Sequence, residues 1–130
     1  MYVLDTNTLI YYFKRRGRVV ERFAQIDPGD AVLSTLVLYE LQVGIEKAGF
    51  LERQVAELEG LLSDTRLVVF DRAAAEAAAS IRAYLEARGT PIGAIDTLIA
   101  GVALSLDATL VTHNTREFSR VPNLNIVDWF

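Results

Sequence analysis

The sequence predicts an α/β fold, a three-layer α/β/α sandwich around a central, mainly parallel sheet of about five strands. Three observations carry that expectation. Short β-branched or apolar runs alternate with longer segments of helical pattern, and strands separated by helices need crossover connections. The chain has 130 residues, which suits one domain over residues 1–130, with no internal repeat, low-complexity tract or linker. Hydrophobic residues make up 52% and charged residues 23%, with a net charge of −4. That balance supports a packed core and excludes a disordered chain.

The first strand is Tyr2-Val3-Leu4, and a helix from Asn7 to Phe13 opens just after it. A second helix, Arg18 to Ile26, stops at the turn signal Asp27-Pro28-Gly29-Asp30. Ala31-Val32-Leu33 is the second strand. Ser34 or Thr35 then caps a helix reaching Lys47, in which Leu36, Tyr39 and Val43 fall at i, i+3 and i+7. Gly49 separates it from a helix over Leu51 to Leu62. Arg66 to Phe70 reads as the third strand, and Asp71 as the N-cap of an alanine-rich helix from Arg72 to Arg88. Gly89 and Pro91 end that helix by the usual C-terminal chemistry. Ile95 to Leu106 is the last long helix, followed by strand Thr109 to Thr112. A helical turn over Thr115 to Phe118 precedes the final strand, Leu124 to Val127.

Composition narrows the chemistry. Cysteine is absent, which removes disulfides, thiolate zinc sites and thiol nucleophiles. His113 is the only histidine, so a multi-histidine metal site is excluded. Carboxylates, hydroxyls, amides and arginine remain. No basic leader with an apolar core precedes Tyr2-Val3-Leu4-Asp5, and no apolar stretch reaches the ~20 residues that span a bilayer. The expectation is a cytoplasmic protein without a membrane segment. A pI near 5.0 argues against a non-specific nucleic-acid coat. One local basic run nevertheless stands out: Lys14-Arg15-Arg16-Gly17-Arg18. It reads either as a solvated turn or as a grip on phosphates.

Four acids fall at comparable places. In open parallel sheets, ligands bind beyond the carboxyl ends of the strands. Asp5 ends the first strand, Glu40 lies in the helix after the second, Asp96 opens the last long helix, and Glu117 follows the strand ending at Thr112. The winding brings them to one edge, where bare carboxylates repel and raise one another's pKa. Mg²⁺ or Mn²⁺ resolves that conflict, because these hard cations take oxygen ligands. Each acid also has an ordinary reading. Asp5 serves as a helix cap, Glu40 as a solvated face residue, Asp96 as a first-turn acid, and Asn114 to Glu117 as a capping box. The constellation favours the shared site.

Val3-Leu4-Asp5-Thr6-Asn7, Tyr39-Glu40-Leu41, Gly89 to Ala100 around Asp96, and Leu110 to Phe118 around Glu117 occur in that order. Together they resemble the motifs of PIN-domain ribonucleases, and more closely the VapC toxins of VapBC toxin–antitoxin pairs. The likeness runs from Tyr2 to about Trp129, essentially the whole chain. It implies a PIN-like sandwich and metal-dependent cleavage of RNA, with Asp5, Glu40 and Asp96 as principal acids and Glu117 in the family's variable fourth position. Asp5 and Asp96 are expected to ligate Mg²⁺ or Mn²⁺ directly, and Glu40 through water or by orienting the nucleophile. Thr6 and Asn7 are supporting residues, by hydrogen bonds to a ligand carboxylate or phosphate, and Thr112 and Asn114 stand alongside Glu117 as further supporting residues. The resemblance further implies a VapB-type antitoxin, a homodimer, and an RNA substrate. Pro91-Ile92-Gly93 resembles enteric VapC enzymes, some of which cut initiator tRNA.

Rival readings are weaker. Asp5-Thr6-Asn7-Thr8 after a strand resembles the start of haloacid-dehalogenase phosphatases, but Asn7 occupies the position of their second Asp. A receiver domain needs a phosphoacceptor at a middle strand. A catalytically silent PIN-like binding module gains nothing from converging carboxylates. His113 reads as a bystander, the Ala73–Ala79 stretch as close helix packing, and Trp129 and Phe130 as core or dimer contacts.

Overall fold

The structure is a computed structural model and describes residues 1–130. Five strands form one sheet: β1 (Tyr2–Leu4), β2 (Ala31–Ser34), β3 (Arg66–Val68), β4 (Thr109–Val111) and β5 (Ile126–Val127). Seven helices connect them: α1 (Thr6–Lys14), α2 (Val19–Phe23), α3 (Thr35–Lys47), α4 (Glu52–Asp64), α5 (Arg72–Ala87), α6 (Ala94–Ser105) and α7 (Thr115–Phe118). All strand pairs are parallel, in the order β3-β2-β1-β4-β5. Tyr2 stands opposite both Ala31 and Thr109, and Leu4 opposite Val111.

The winding places the crevice. The chain moves outward from β1 to β2 and β3, then crosses back to β4 on the other side of β1. The order of winding therefore reverses between β1 and β4, where parallel sheets bind ligands at their carboxyl ends. Helices cover both faces, so Val3, Leu4, Val32, Leu33, Leu110 and Val111 are completely buried. Such strands read as continuous apolar runs rather than alternating ones.

Local chemistry explains most boundaries. Asp5, Ser34 and Asp71 each accept a backbone N–H with the side chain, from Thr8, Val37 and Ala74 respectively. The alanine-rich stretch serves close packing, as expected. A Cβ added at Gly101 of α6 would lie 2.7 Å from the Ala78 Cβ and 2.8 Å from the Ala74 carbonyl oxygen on α5.

Several local expectations shift. The second helix ends at Phe23 and a single 3₁₀ turn, Pro28–Asp30, leads into β2. β3 stops at Val68, leaving Val69 exposed. On α3 the buried positions are Val37, Leu41 and Ile45, while Tyr39 is 60% exposed. This helix is apolar nearly all round, so periodicity alone left its inner face open; packing against β2 and α6 chose it. Trp129 is buried against Tyr2, whereas Phe130 stays largely exposed.

Candidate active site

Asp5 follows β1 directly, and its amide donates to the Val111 carbonyl at the end of β4, 3.2 Å away. Its carboxylate accepts from the Thr8 amide at 2.8 Å, so the residue is a helix cap as well as a site acid. Thr8, not singled out from sequence, is buried and donates its hydroxyl to the same Val111 carbonyl at 3.1 Å. The start of α1 is thereby pinned to β4 beside the crevice. Its signal was position: three residues after a strand-end aspartate, a threonine faces the sheet.

Asp96 lies in the first turn of α6, with its Oδ2 over Gly93, where an added Cβ would approach it to 3.4 Å. Burial pushes its carboxyl up from the ordinary 3.8 to about 6, and the charges of Asp5, Glu117 and Glu40 push in the same direction. Four acids remote in sequence therefore share one field. None of the four pairs with an arginine or lysine; the chain's ion pairs are Arg53–Glu57, Arg72–Glu76, Arg82–Glu86 and His113–Asp128.

Neutral donors orient the outer two acids. Thr6 donates its hydroxyl to Glu40 Oε1. Asn114 donates its side-chain amide to Glu117 Oε2 at 2.9 Å, while its own backbone amide is held by the Thr112 hydroxyl at 3.0 Å. The capping-box reading of Asn114 is thus replaced, since its side chain caps no backbone amide of α7. Asn7 is exposed at the start of α1 and makes no side-chain hydrogen bond to the acids. Lys14, Arg15, Arg16 and Arg18 all lie exposed on the turn after α1.

No three of the acids close on one point tightly enough to hold an ion by themselves in this arrangement. Mg²⁺ retains several waters and needs only one or two protein carboxylates. An un-neutralised set of oxygen donors, with one carboxyl raised first by burial and further by its neighbours' charges, has the chemistry for such a cation.

Comparison with known proteins agrees with this architecture. The PIN domain matches residues 2–124. A tRNA(fMet)-specific endonuclease VapC from Shigella flexneri is 39% identical over 128 residues, which is 98% of this chain and 97% of the relative. A ribonuclease VapC2 from Haemophilus influenzae is 40% identical over 131 residues, again 98% and 97% of the two chains. The crystal structure of VapBC2 from Rickettsia felis bound to promoter DNA has a TM-score of 0.92 at 33% identity, covering 99% of this chain and 98% of that one. DNA-bound VapBC from Salmonella typhimurium has the same TM-score at 39% identity, with the same coverage. By its fold, its acid-lined edge and these matches, the chain belongs to the PIN-domain family. Within it the chain is of the VapC type, the toxin side of VapBC toxin–antitoxin pairs.

Proposed function

We propose that this VapC-type chain is a Mg²⁺- or Mn²⁺-dependent endoribonuclease toxin that hydrolyses phosphodiester bonds in tRNA. One observation carries the reading: burial raises the Asp96 carboxyl to about 6, the charges of Asp5, Glu117 and Glu40 push the same way, and no arginine or lysine pairs with any of the four. Asp5 and Asp96 would hold the metal, each on rigid backbone at a strand end or helix start. When bound, the ion would acidify a water and stabilise charge developing on the scissile phosphate. Glu40, oriented by Thr6, would accept the proton of the attacking water or hold it in line. Glu117, tethered by Asn114, would add a fourth carboxylate to the field in which the metal is held. Asn7 and the basic run Lys14, Arg15, Arg16 and Arg18 would meet RNA phosphates.

A VapB-type antitoxin would silence the enzyme by placing a basic side chain among the acids, where a bidentate arginine competes with metal. An apolar groove beside Glu40, lined by Ile10, Phe13, Leu41 and Leu58, suits the flanking antitoxin residues. The buried Gln54 Oε1 in that groove has no donor within the chain and would receive one there. A second copy of the chain would cover the exposed Tyr39, Leu67 and Val69. The site of action would be the cytoplasm, where tRNA resides; no helix is long and apolar enough to cross a membrane. A catalytically silent module has nothing to set against four unpaired acids.

The test is cleavage of tRNA(fMet) by wild type and Asp96→Asn, in Mn²⁺ and in EDTA. Wild type with Mn²⁺ should cut, and the other three conditions should not. An Asp96→Asn rate within about tenfold of wild type, a barrier change of only ~1.4 kcal/mol, would sink the assignment.

A further inference from the structure

Three rings meet beside the acid-lined edge, and neither the fold nor the acids account for their exposure. His113, one residue beyond the buried Thr112, stacks on Phe130 with centroids 4.3 Å apart and planes 26° off parallel. Tyr11 meets both rings edge-on, at 5.8 Å from His113 and 4.9 Å from Phe130. Two hydrogen bonds orient the cluster. Asp128 accepts from the Phe130 amide and pairs with His113 Nδ1, each at 2.9 Å. Yet Phe130 remains 42% exposed, although Trp129 beside it is buried. An exposed aromatic ring oriented by its neighbours is suited to a stacking surface.

The surroundings say what would stack. Tyr11 lies one helical turn, about 6 Å, beyond the exposed Asn7 on the same face of α1, and His113 directly precedes Asn114, which donates to Glu117 Oε2. On the far side, the Arg18 amide donates to the Phe130 carbonyl at 3.1 Å and the Arg16 amide to the Tyr11 carbonyl at 2.9 Å. Gly17 between them has φ +61 and no room for a side chain, since a Cβ would lie 2.7 Å from the Phe130 carbonyl oxygen. Both arginines are exposed and free of carboxylate partners. The rings are thus joined through His113 to the Asn114–Glu117 segment and through backbone hydrogen bonds to the arginine turn.

We propose that Phe130, backed by His113 and Tyr11, is a stacking platform for an unpaired RNA base flanking the scissile phosphate, with Arg16 and Arg18 gripping the next phosphates. The inference rests on the nuclease reading and adds a substrate subsite to it. Aromatic faces accept any base, and a neighbouring cationic turn supplies the backbone contacts, as in other single-strand binders. His113 and its Asp128 tether are positioning residues that hold the Phe130 ring.

The probe is an anticodon stem-loop of tRNA(fMet) carrying 2-aminopurine at successive loop positions. Bound to Asp96→Asn protein, which leaves it whole, the probe should lose fluorescence at one position. Adding Phe130→Leu, which keeps an apolar anchor but cannot stack, should restore that fluorescence; Phe130→Trp should not. In the otherwise wild-type enzyme Phe130→Leu should raise KM about tenfold, the lower end of what base–aromatic stacking contributes, with kcat unchanged. Arg16→Gln with Arg18→Gln should flatten the salt dependence of binding by roughly 0.7 in log–log slope for each phosphate no longer neutralised. Unchanged quenching and KM in Phe130→Leu, with cleavage intact, would overturn the platform alone. A variant that loses antitoxin affinity but binds RNA normally would also overturn it, making the rings a protein-binding surface. Absence of both cleavage by wild type and RNA binding by Asp96→Asn would instead remove the nuclease reading beneath it.

Discussion

Thr6 donates its hydroxyl to Glu40 Oε1, joining the opening turn of α1 to the middle of α3 across 34 positions of sequence. One residue earlier, Asp5 is held by the Thr8 amide at the end of β1. A single turn of chain therefore supplies one acid of the site and orients another. Threonine at position 6 supplies a short, neutral hydroxyl donor that reaches across to Glu40.

Thr6→Val keeps the shape and removes the donor. Partners that orient a metal-site carboxylate typically contribute 10–100-fold in affinity or activity, so cleavage should fall by about that factor. Stability should change by only ~1 kcal/mol, the net value of one partly exposed hydrogen bond. Single-turnover cleavage and a melting curve of the same sample read both. Cleavage equal to wild type would show that Glu40 does not depend on Thr6.

Asp96 makes stability depend on pH in a defined direction. Its folded-state pKa, about 6, lies above its ordinary 3.8, so the folded protein holds this proton more tightly than the unfolded chain. The ionised form is the disfavoured one. Stability therefore declines as pH rises from about 4 to about 6 and stays reduced above that. In EDTA, Asp96→Asn should melt higher than wild type at pH 8, by on the order of 1 kcal/mol after solvent screening. The gain should vanish below pH 4. Adding Mn²⁺ should raise the melting temperature of wild type and leave Asp96→Asn nearly unmoved. A favourable first-turn charge alone predicts the opposite sign in EDTA, a loss of ~0.3–1 kcal/mol.

Gly101 tests the packing that carries α6, and with it Asp96. A methyl group there meets Ala78 and the backbone of Ala74 well inside ordinary contact. Gly101→Ala should cost about 1–3 kcal/mol through overpacking, outweighing the higher helix propensity of alanine. Gly44, in the same kind of helix but with open space around it, is the control. Gly44→Ala should stabilise by up to ~1 kcal/mol. Equal effects at the two positions in denaturant melts would contradict the close α5–α6 packing.

Much of this was legible because local chemistry and global fold agree. Asp5, Ser34 and Asp71 announce three helices by their capping side chains, and all three cap as read. The inner strands β1, β2 and β4 bury residues on both faces, which signals a parallel sheet covered by helices. The parts that misled have no local signature. The inner face of α3 was unreadable because Leu36, Val37, Leu38, Leu41 and Val43 offer several equally apolar stripes. Asn114 and Glu117 have capping-box spacing, yet Thr112 takes the backbone amide and frees the Asn114 side chain for Glu117.

By itself the sequence determined the element order and the parallel winding, because caps, turns and apolar runs act within a few residues of one another, and it singled out four acids as candidates. Only the tertiary structure decided that these acids feel each other. Asp5 and Asp96 are ninety-one positions apart by their numbering, and no periodicity relates them. Their coupling arises from the switch in winding between β1 and β4, which sets two distant chain segments on one edge. Tertiary structure likewise decided the fate of the last two residues, both aromatic: Trp129 turns inward against Tyr2 while Phe130 is held outward by Asp128 and Gly17. Coulomb repulsion and ring stacking act over a few ångströms of space, whatever the distance along the chain.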